Sequence, residues 1–317
     1  MEQLKVFRAV KDYLRLRIMP DRPKSYFKYV NAHIAKVILV TQKLRWSSPL
    51  LFNDPFDVQR DFDFGHDDET VKELIVQELR KLLSADKVAD LPENSRIKWF
   101  VNHLRRADRA DVRKTIIDEL PRLIDEGMQH AKEGTLQGIK KMWSAFLPEF
   151  RILCLSAIND SVLMWSHYSD SHRGVMLEFC PTDDSSFLWA ALPVTYQDSP
   201  PTLTTQEEWV KFMAGQMSLD VDSWHFYEPF VLTKTKSWEY EKEWRVVSFM
   251  RSRESGLYSD YPFNPRELRS IYLGCEATKE DTDDILSLLK YDLAHVVAWC
   301  GRKSKRERIV HFERFSS

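Results

Sequence analysis

Three stretches of this chain concentrate side chains that do chemistry, and they lie far apart. The first runs from Lys28 and Tyr29 to Asn53-Asp54-Pro55-Phe56-Asp57. The second starts at Ser156, passes through Met164-Trp165-Ser166-His167-Tyr168, and continues to Asp170, His172-Arg173-Gly174 and Glu178. The third is Lys236-x-Trp238-x-Tyr240-Glu241-x-Glu243-Trp244-Arg245. Each mixes charged or hydrogen-bonding groups with Tyr and Trp, whose rings give flat apolar faces and one polar handle. Small-ligand sites combine apolar walls with a few placed polar groups in this way. The pattern predicts a pocket lined by Lys28, Tyr29, Asn53, Asp54, Ser156, Trp165, His167, Tyr168, His172, Arg173, Trp238 and Arg245. Glu241 and Glu243 are its candidate catalytic groups.

On a strand, period-two alternation puts Glu241, Glu243 and Arg245 on one face and Trp244 and Val246 on the other. Two carboxylates on a pocket wall can divide labour between a ligand and an acceptor. The plain alternative is an exposed strand on which Glu243 and Arg245 pair to little effect. His167, Asp170 and His172 match no standard ligand spacing, so no metal is expected. His167 reads equally as a structural histidine, and His172-Arg173-Gly174 as a tight turn in which Gly174 supplies a positive φ. Asn53 and Asp54 read most simply as turn formers whose side chains cap backbone groups. Ser156 lacks a Gly-x-Ser-x-Gly setting, and with nine glycines neither a phosphate-binding loop nor a dinucleotide fingerprint occurs.

Phe52-Asn53-Asp54-Pro55-Phe56-Asp57 after a strand, Met164-Trp165-x-His167-Tyr168-x-Asp170-x-His172-x-Gly174 and Trp238-x-Tyr240-Glu241-x-Glu243-Trp244-Arg245 together resemble a bacterial family. It is the domain-of-unknown-function family numbered twenty-nine seventy-one, and the resemblance runs from about Tyr26 to Leu273. The family label implies a shared site and names no reaction. A second resemblance is to the mono-ADP-ribosyltransferases. That fold has a basic residue on an early strand followed by a helix, a serine on a later strand, and a Glu-x-Glu pair entering another strand. Lys28, Ser156 and Glu241-x-Glu243 follow that order, and Leu268 to Leu273 resembles the closing half of the fold. Two features depart from it: lysine cannot make a bidentate guanidinium contact, and the Ser-Thr-Ser triplet is absent. This resemblance implies NAD as the cofactor and a protein or nucleic-acid acceptor, in a bacterial toxin or phage-defence setting. It also implies a carboxylate that opposes positive charge developing on the ribose as the bond to nicotinamide breaks.

The elements that must position these groups follow from apolar periodicity. Ser25 to Val30 and Leu44 to Ser47 read as strands flanking a helix from His33 to Gln42. Phe150 to Ala157, Val175 to Phe179, Ala191 to Tyr196, Glu243 to Phe249, Leu268 to Leu273, His295 to Cys300 and Ile309 to Phe312 also read as strands. A helical turn or two spans Ser161 to Tyr168. Thr205-x-x-Glu208 is a capping box, with Trp209, Phe212 and Met213 inward. Leu4, Phe7, Val10 and Leu14 predict an amphipathic helix over 4–16, and the acidic start at Asp281, Asp283 and Asp284 predicts a helix to Lys290. Residues 68–147 are helical and charged. They carry the stripes Val71-Leu74-Ile75-Leu79-Leu82 and Ile116-Ile117-Leu120-Leu123-Ile124, and Pro121 is expected to kink or split the second helix.

The expected architecture is a single α+β domain over 1–317 with an inserted helical subdomain at 68–147. Its sheet should be bent or split and mostly antiparallel, because several links are too short for crossovers. At 43% hydrophobic and 30% charged, with a net charge of −2, the 317 residues suit a cytoplasmic globular protein. Nothing in the bulk charge asks for nucleic acid or anionic lipid. No apolar run approaches membrane length, and Lys5, Arg8 and Lys11 interrupt any signal-like stretch. Arg302 to Arg308 is basic and reads as a solvated hairpin turn. The four dispersed cysteines read as buried free thiols. The function expected is a pocket for a small nucleotide-like ligand, in an NAD-using transferase or NAD-cleaving protein. The rivals are a non-catalytic nucleotide-sensing or interaction module, and a metal-dependent nuclease-like toxin using Asp54, Asp57, Glu241 and Glu243.

Overall fold

The computed structural model describes residues 22–58, 62–84, 98, 101–103, 110–183, 185–219, 224–304 and 310–315. The helix expected over 4–16 and residues 305–308 of the basic stretch lie outside them. In chain order the elements are β1 (Tyr26–Val30), α1 (Ala32–Thr41), β2 (Lys43–Ser47), α2 (Asp68–Ser84), α3 (Ala110–Phe146), β3 (Phe150–Ser156), α4 (Val162–Tyr168) and β4 (Val175–Phe179). There follow β5 (Leu192–Pro193), β6 (Thr195–Tyr196), α5 (Gln206–Met213), α6 (Trp224–Val231), β7 (Thr233–Lys234), β8 (Glu243–Phe249), β9 (Tyr258–Pro262), β10 (Leu268–Leu273), α7 (Lys279–Leu288), β11 (Val297–Lys303) and β12 (Val310–Arg314). No helix among the described residues is long and apolar enough to cross a membrane.

The chain divides into two compact units, one of residues 1–60, 146–199 and 228–317, the other of 61–145 and 200–227. The first unit carries the main sheet, ordered β12-β11-β10-β4-β1-β3-β2-β9, with β8 also on β3 and β5 on β8. Its pairs are antiparallel except β10 with β11, which α7 joins as a crossover. A short parallel pair, β6 with β7, stands apart. The fold is therefore α+β with a mostly antiparallel open sheet. The sheet is also split. β3 pairs with β8 along its whole length, yet meets β1 only at Phe27↔Ser156 and β2 only at Ser47↔Ile152. Between those two contacts β1 and β2 diverge and leave a gap beside β3.

Alternation sorts the strand residues into two faces. Tyr26, Val30, Leu153, Leu155, Val175, Trp244, Val246 and Ile271 bury against Ala35, Ile38 and Leu39 of α1 and Ile285 of α7. Asn31 caps α1 by accepting from Ile34 N–H at 2.8 Å. On the opposite face Phe27, Tyr29 and Met176 pack under Met164 and Trp165 of α4. Ser161 caps α4, accepting from Met164 N–H at 3.3 Å. The turn from α4 into β4 departs from expectation. The left-handed residues are Asp170, Ser171 and His172, with φ of 46°, 53° and 66°. Gly174 is required for space instead, because a Cβ there would stand 2.1 Å from the Val30 carbonyl oxygen.

In the second unit α2 buries Val71, Ile75, Leu79 and Leu82, and α5 opens with the expected capping box at Thr205 and Glu208. Trp209 is buried there, whereas Phe212 and Met213 are half-buried. α3 runs through Pro121 undivided, so of the expected kink or split the proline does not split the helix. Proline removes one backbone bond and costs about 3 kcal/mol in a helix interior. The buried residues Leu120, Met128, Ile139 and Trp143 anchor that helix on both sides of the defect.

Candidate functional site

The gap in the sheet opens into a cavity of about 430 Å³ on the α4 face of the first unit. Phe27 and Tyr29 of β1, Arg45 and Ser47 of β2, and Ile152, Cys154 and Ser156 of β3 contribute through the same alternation that buries their neighbours on the other face. Leu51, Phe52, Asn53 and Asp57 come from the loop after β2, and Met164, His167 and Tyr168 from α4. Lys234, Glu241 and Glu243 complete the polar wall. Lys28 also lines the cavity, its Nζ donating to the Cys154 carbonyl at 2.9 Å. That ammonium binds the edge of β3 where neither β1 nor β2 pairs with it.

The polar wall is one ionic cluster. Arg245, wholly buried, donates to Glu243 Oε1 and Oε2 at 2.8 and 2.9 Å and to both Asp57 oxygens at 3.0 and 2.6 Å. Its remaining contact is to the Val231 carbonyl at 2.7 Å. Lys234, 4% exposed, sits among the acids, 2.5 Å from Glu241, 3.2 Å from Glu243 and 3.7 Å from Asp57. Tyr168 donates to the free oxygen of Glu241 at 2.5 Å. The Trp238 ring covers the Lys234 ammonium at 4.9 Å, and the Phe52 ring lies 5.4 Å from the Arg245 guanidinium. Both cations thus carry an aromatic lid and ionic partners.

Geometry separates the two glutamates. Burial alone would raise the Glu243 carboxyl, but Arg245 and Lys234 outweigh it and hold the group well below the ordinary carboxylate range. Glu241 goes the other way: burial and the neighbouring Glu243 raise it, against the pull of Lys234. Burial also raises Tyr168, reinforced by Glu241, and raises the Cys154 thiol. All four cysteines are free and half-buried. Glu241 does not lie on β8 as alternation suggested. It ends a 3-10 segment, Lys236–Glu241, and Lys242 at φ 44° turns the chain into the strand. The left-handed residue lets Glu241 and Glu243 still face the same cation. Glu243 and Arg245 are buried, so the alternative of an exposed strand pair is overturned.

Of the residues read from sequence, Lys28, Tyr29, Asn53, Ser156, His167, Tyr168, Glu241 and Glu243 line the cavity. Arg245 and Trp238 stand behind that wall. Trp165 packs edge-on against Tyr29 at 5.4 Å and supports the wall without lining it. Ser156 donates to the Glu241 carbonyl at 2.7 Å, pinning the 3-10 segment. His167 bonds the Tyr240 hydroxyl at 2.8 Å, a second tie between α4 and that segment. Asp54 is a turn former, accepting from Phe56 N–H at 2.9 Å. His172 and Arg173 lie away from the cavity. His172 stacks on Trp165 at 6.2 Å, and Arg173 pairs with Asp170 at 3.0 Å on the surface. Lys234 escaped sequence reading altogether, because within Thr233-Lys234-Thr235-Lys236 it looks like a solvated charge. Asp57 was visible only as a turn residue and as one of the nuclease carboxylates. Of those acids Asp57, Glu241 and Glu243 converge, but on Lys234 and Arg245, while Asp54 stays in its turn.

Residues 164–246 match the model of the family described as Protein of unknown function (DUF2971), the family that the motifs resemble. The matched segment spans α4 to the first half of β8 and so holds Tyr168, Lys234, Glu241, Glu243 and Arg245. It is narrower than the range from Tyr26 to Leu273, and the motif at 52–57 falls outside it. No curated protein and no solved structure matches the chain.

Proposed function

We propose, for a chain whose 164–246 segment belongs to this family, that the cavity binds a nicotinamide nucleotide and that Glu241 promotes cleavage of its bond between ribose and nicotinamide. The observation that carries the reading is the placement of Lys28, Ser156, Glu241 and Glu243 around one cavity beside a split in the sheet. Those positions are the ones that follow the ADP-ribosyltransferase order in sequence. The cavity volume lies in the usual range for small-molecule sites, and Phe27, Tyr29, Phe52 and Tyr168 give it aromatic walls.

Breaking the glycosidic bond develops positive charge on the ribose. A carboxylate facing that charge in a water-poor wall stabilises the transition state more than the ground state. Glu241 suits the task better than Glu243, whose charge is already matched by Arg245 and Lys234. Lys234 and Tyr168 hold both Glu241 oxygens and fix the carboxylate in place. The released ribosyl group passes to water or to a protein or nucleic-acid acceptor, in a cytoplasmic toxin or defence setting. The convergence of the acids on an ammonium and a guanidinium argues against the nuclease alternative, since those cations occupy the centre that a divalent ion would need.

The test is calorimetric titration of the protein with NAD, ADP-ribose and ATP, alongside an assay of nicotinamide release. NAD should bind, and Glu241→Gln should keep binding while release falls by about two orders of magnitude, the scale of one preorganised electrostatic contact. Protein that neither binds nor cleaves NAD ends this reading. Binding with no release by the wild type favours the sensing module.

A further inference from the structure

We infer that the lip of the cavity docks a protein, which receives the Phe56 ring in an apolar pocket and sets a basic side chain against Asp160. The inference goes beyond the nucleotide reading and does not depend on what the cavity holds. It starts from Phe56, which is 69% exposed within the turn from Asn53 to Asp57. A phenyl ring on a loose loop would be ordinary surface, but this turn is pinned on both sides of the ring. Asp54 is buried and accepts the Phe56 N–H at 2.9 Å, and its carbonyl accepts from Asp57 N–H at 3.2 Å. Asp57 is locked through both carboxylate oxygens to Arg245. Val58 is wholly buried at φ 50°, a left-handed conformation that a β-branched side chain resists. Such backbone persists only where its surroundings over-determine it. The ring is therefore held out to solvent in advance, and docking it costs little further ordering.

Other apolar side chains share the lip. Leu50 and Leu51 of the same loop are 41% and 49% exposed, and Leu51 also lines the cavity. On α4, Leu163 is 47% exposed one turn ahead of His167, which lines the cavity too. Exposed apolar side chains gathered at a concavity mark an interaction surface. Charge decides the kind of partner. Segments 48–56 and 160–163 hold no lysine or arginine, and Asp160 is their one exposed charge. Asp160 makes no ion pair among the described residues. The Lys28 ammonium belongs to the sheet, on the Cys154 carbonyl, and Arg45 is matched by Asp260, which takes two of its N–H groups at 3.0 and 3.1 Å. A lip that is apolar with one unmatched carboxylate repels the phosphates of nucleic acid and of anionic lipid. It complements a protein face on which an apolar pocket adjoins a lysine or arginine.

The experiment selects a random peptide library displayed on phage against the full chain and titrates the enriched peptides by fluorescence polarisation. Those peptides should combine apolar residues with lysine or arginine. Their affinity should fall at least about thirtyfold in Phe56→Ser, the scale of an interface hot spot. Asp160→Asn should weaken them by about threefold and flatten the salt dependence of binding. Both variants should melt as wild type does and keep its affinity for NAD, which separates a lost lip from a lost fold or cavity. A chain that binds peptide through Phe56 but binds no nucleotide sustains this inference and ends the nucleotide reading. Peptides that bind Phe56→Ser as well as wild type, or a library that yields no enriched peptide, overturn it. Flotation with phosphatidylcholine vesicles that requires Phe56 gives the lip to a membrane, and self-association in sedimentation that Phe56→Ser abolishes gives it to a second copy. Either result overturns the inference.

Discussion

The β3–β8 ladder buries an arginine at each end, and the two are held in opposite ways. At the start of β3, Arg151 is fully buried and donates to the Pro148, Phe150 and Gly256 carbonyls and to Ser259 Oγ. Toward the other end, Arg245 is equally buried but donates mainly to the carboxylates of Asp57 and Glu243. Arg151 ties together turns with neutral acceptors and borders no cavity residue of opposite charge. Arg245 anchors acids that form a cavity wall. A buried cation satisfied by carbonyls is scaffolding. One that gathers carboxylates at a concave surface builds a charged wall there.

The difference should be plainest in stability. Arg245→Met leaves Asp57, Glu241 and Glu243 around a single ammonium, so it should cost about 3–5 kcal/mol, as removing one partner of a buried ion pair does. Arg151→Met leaves neutral acceptors unpaired and should cost less, about 1–3 kcal/mol. Urea denaturation of both variants decides the order, and equal losses would erase the distinction between the two ends.

A smaller effect is expected in the pH dependence of melting. Glu243 is lowered in the folded state from 4.5, so the stability it contributes is present above that value and is lost as pH falls below it. Glu241 is raised from 4.5, so its contribution has the opposite sign and declines as pH rises from there through its folded value. Melting curves should therefore lose their acid-side slope in Glu243→Gln. In Glu241→Gln they should lose the decline above 4.5 instead. Identical profiles for the two variants would mean that the acids titrate as one undivided pair. The smallest change should come from Arg173→Ala, whose partner Asp170 is exposed like itself. Its melting temperature and its nucleotide affinity should match wild type, which checks that charge matters here only where it is buried and faces the cavity.

Much of the framework was legible because alternation and capping are local. The strands from Phe150, Val175, Glu243 and Leu268 and the capping box at Thr205 are written in consecutive residues. The cavity was legible as three stretches dense in polar and aromatic groups, and Tyr29, Tyr168 and Glu241 meet there beside the apolar cluster those stretches share. Lys234 was not, since burial of a lysine is decided by acids 177 residues before it, at Asp57, and a turn after it. The left-handed run Asp170-Ser171-His172 was also hidden, because it is fixed by contacts such as Glu276 N–H to the His172 carbonyl. Local propensity favours Gly174 for that role.

The single-residue contacts of β3 with β1 and β2 also bear on synthesis. β1 and β2 leave the ribosome first, but the edge they share arrives only after Phe150, and the wall that closes the cavity is not finished until β8. A nascent chain shorter than Phe249 therefore has two strands waiting and no pocket. The entropy of closing a flexible chain grows only as the logarithm of its length. The span between β2 and β3 is no such flexible chain, because α2 and α3 bury apolar residues of their own within it, and their packing offsets the cost of returning the chain to β3.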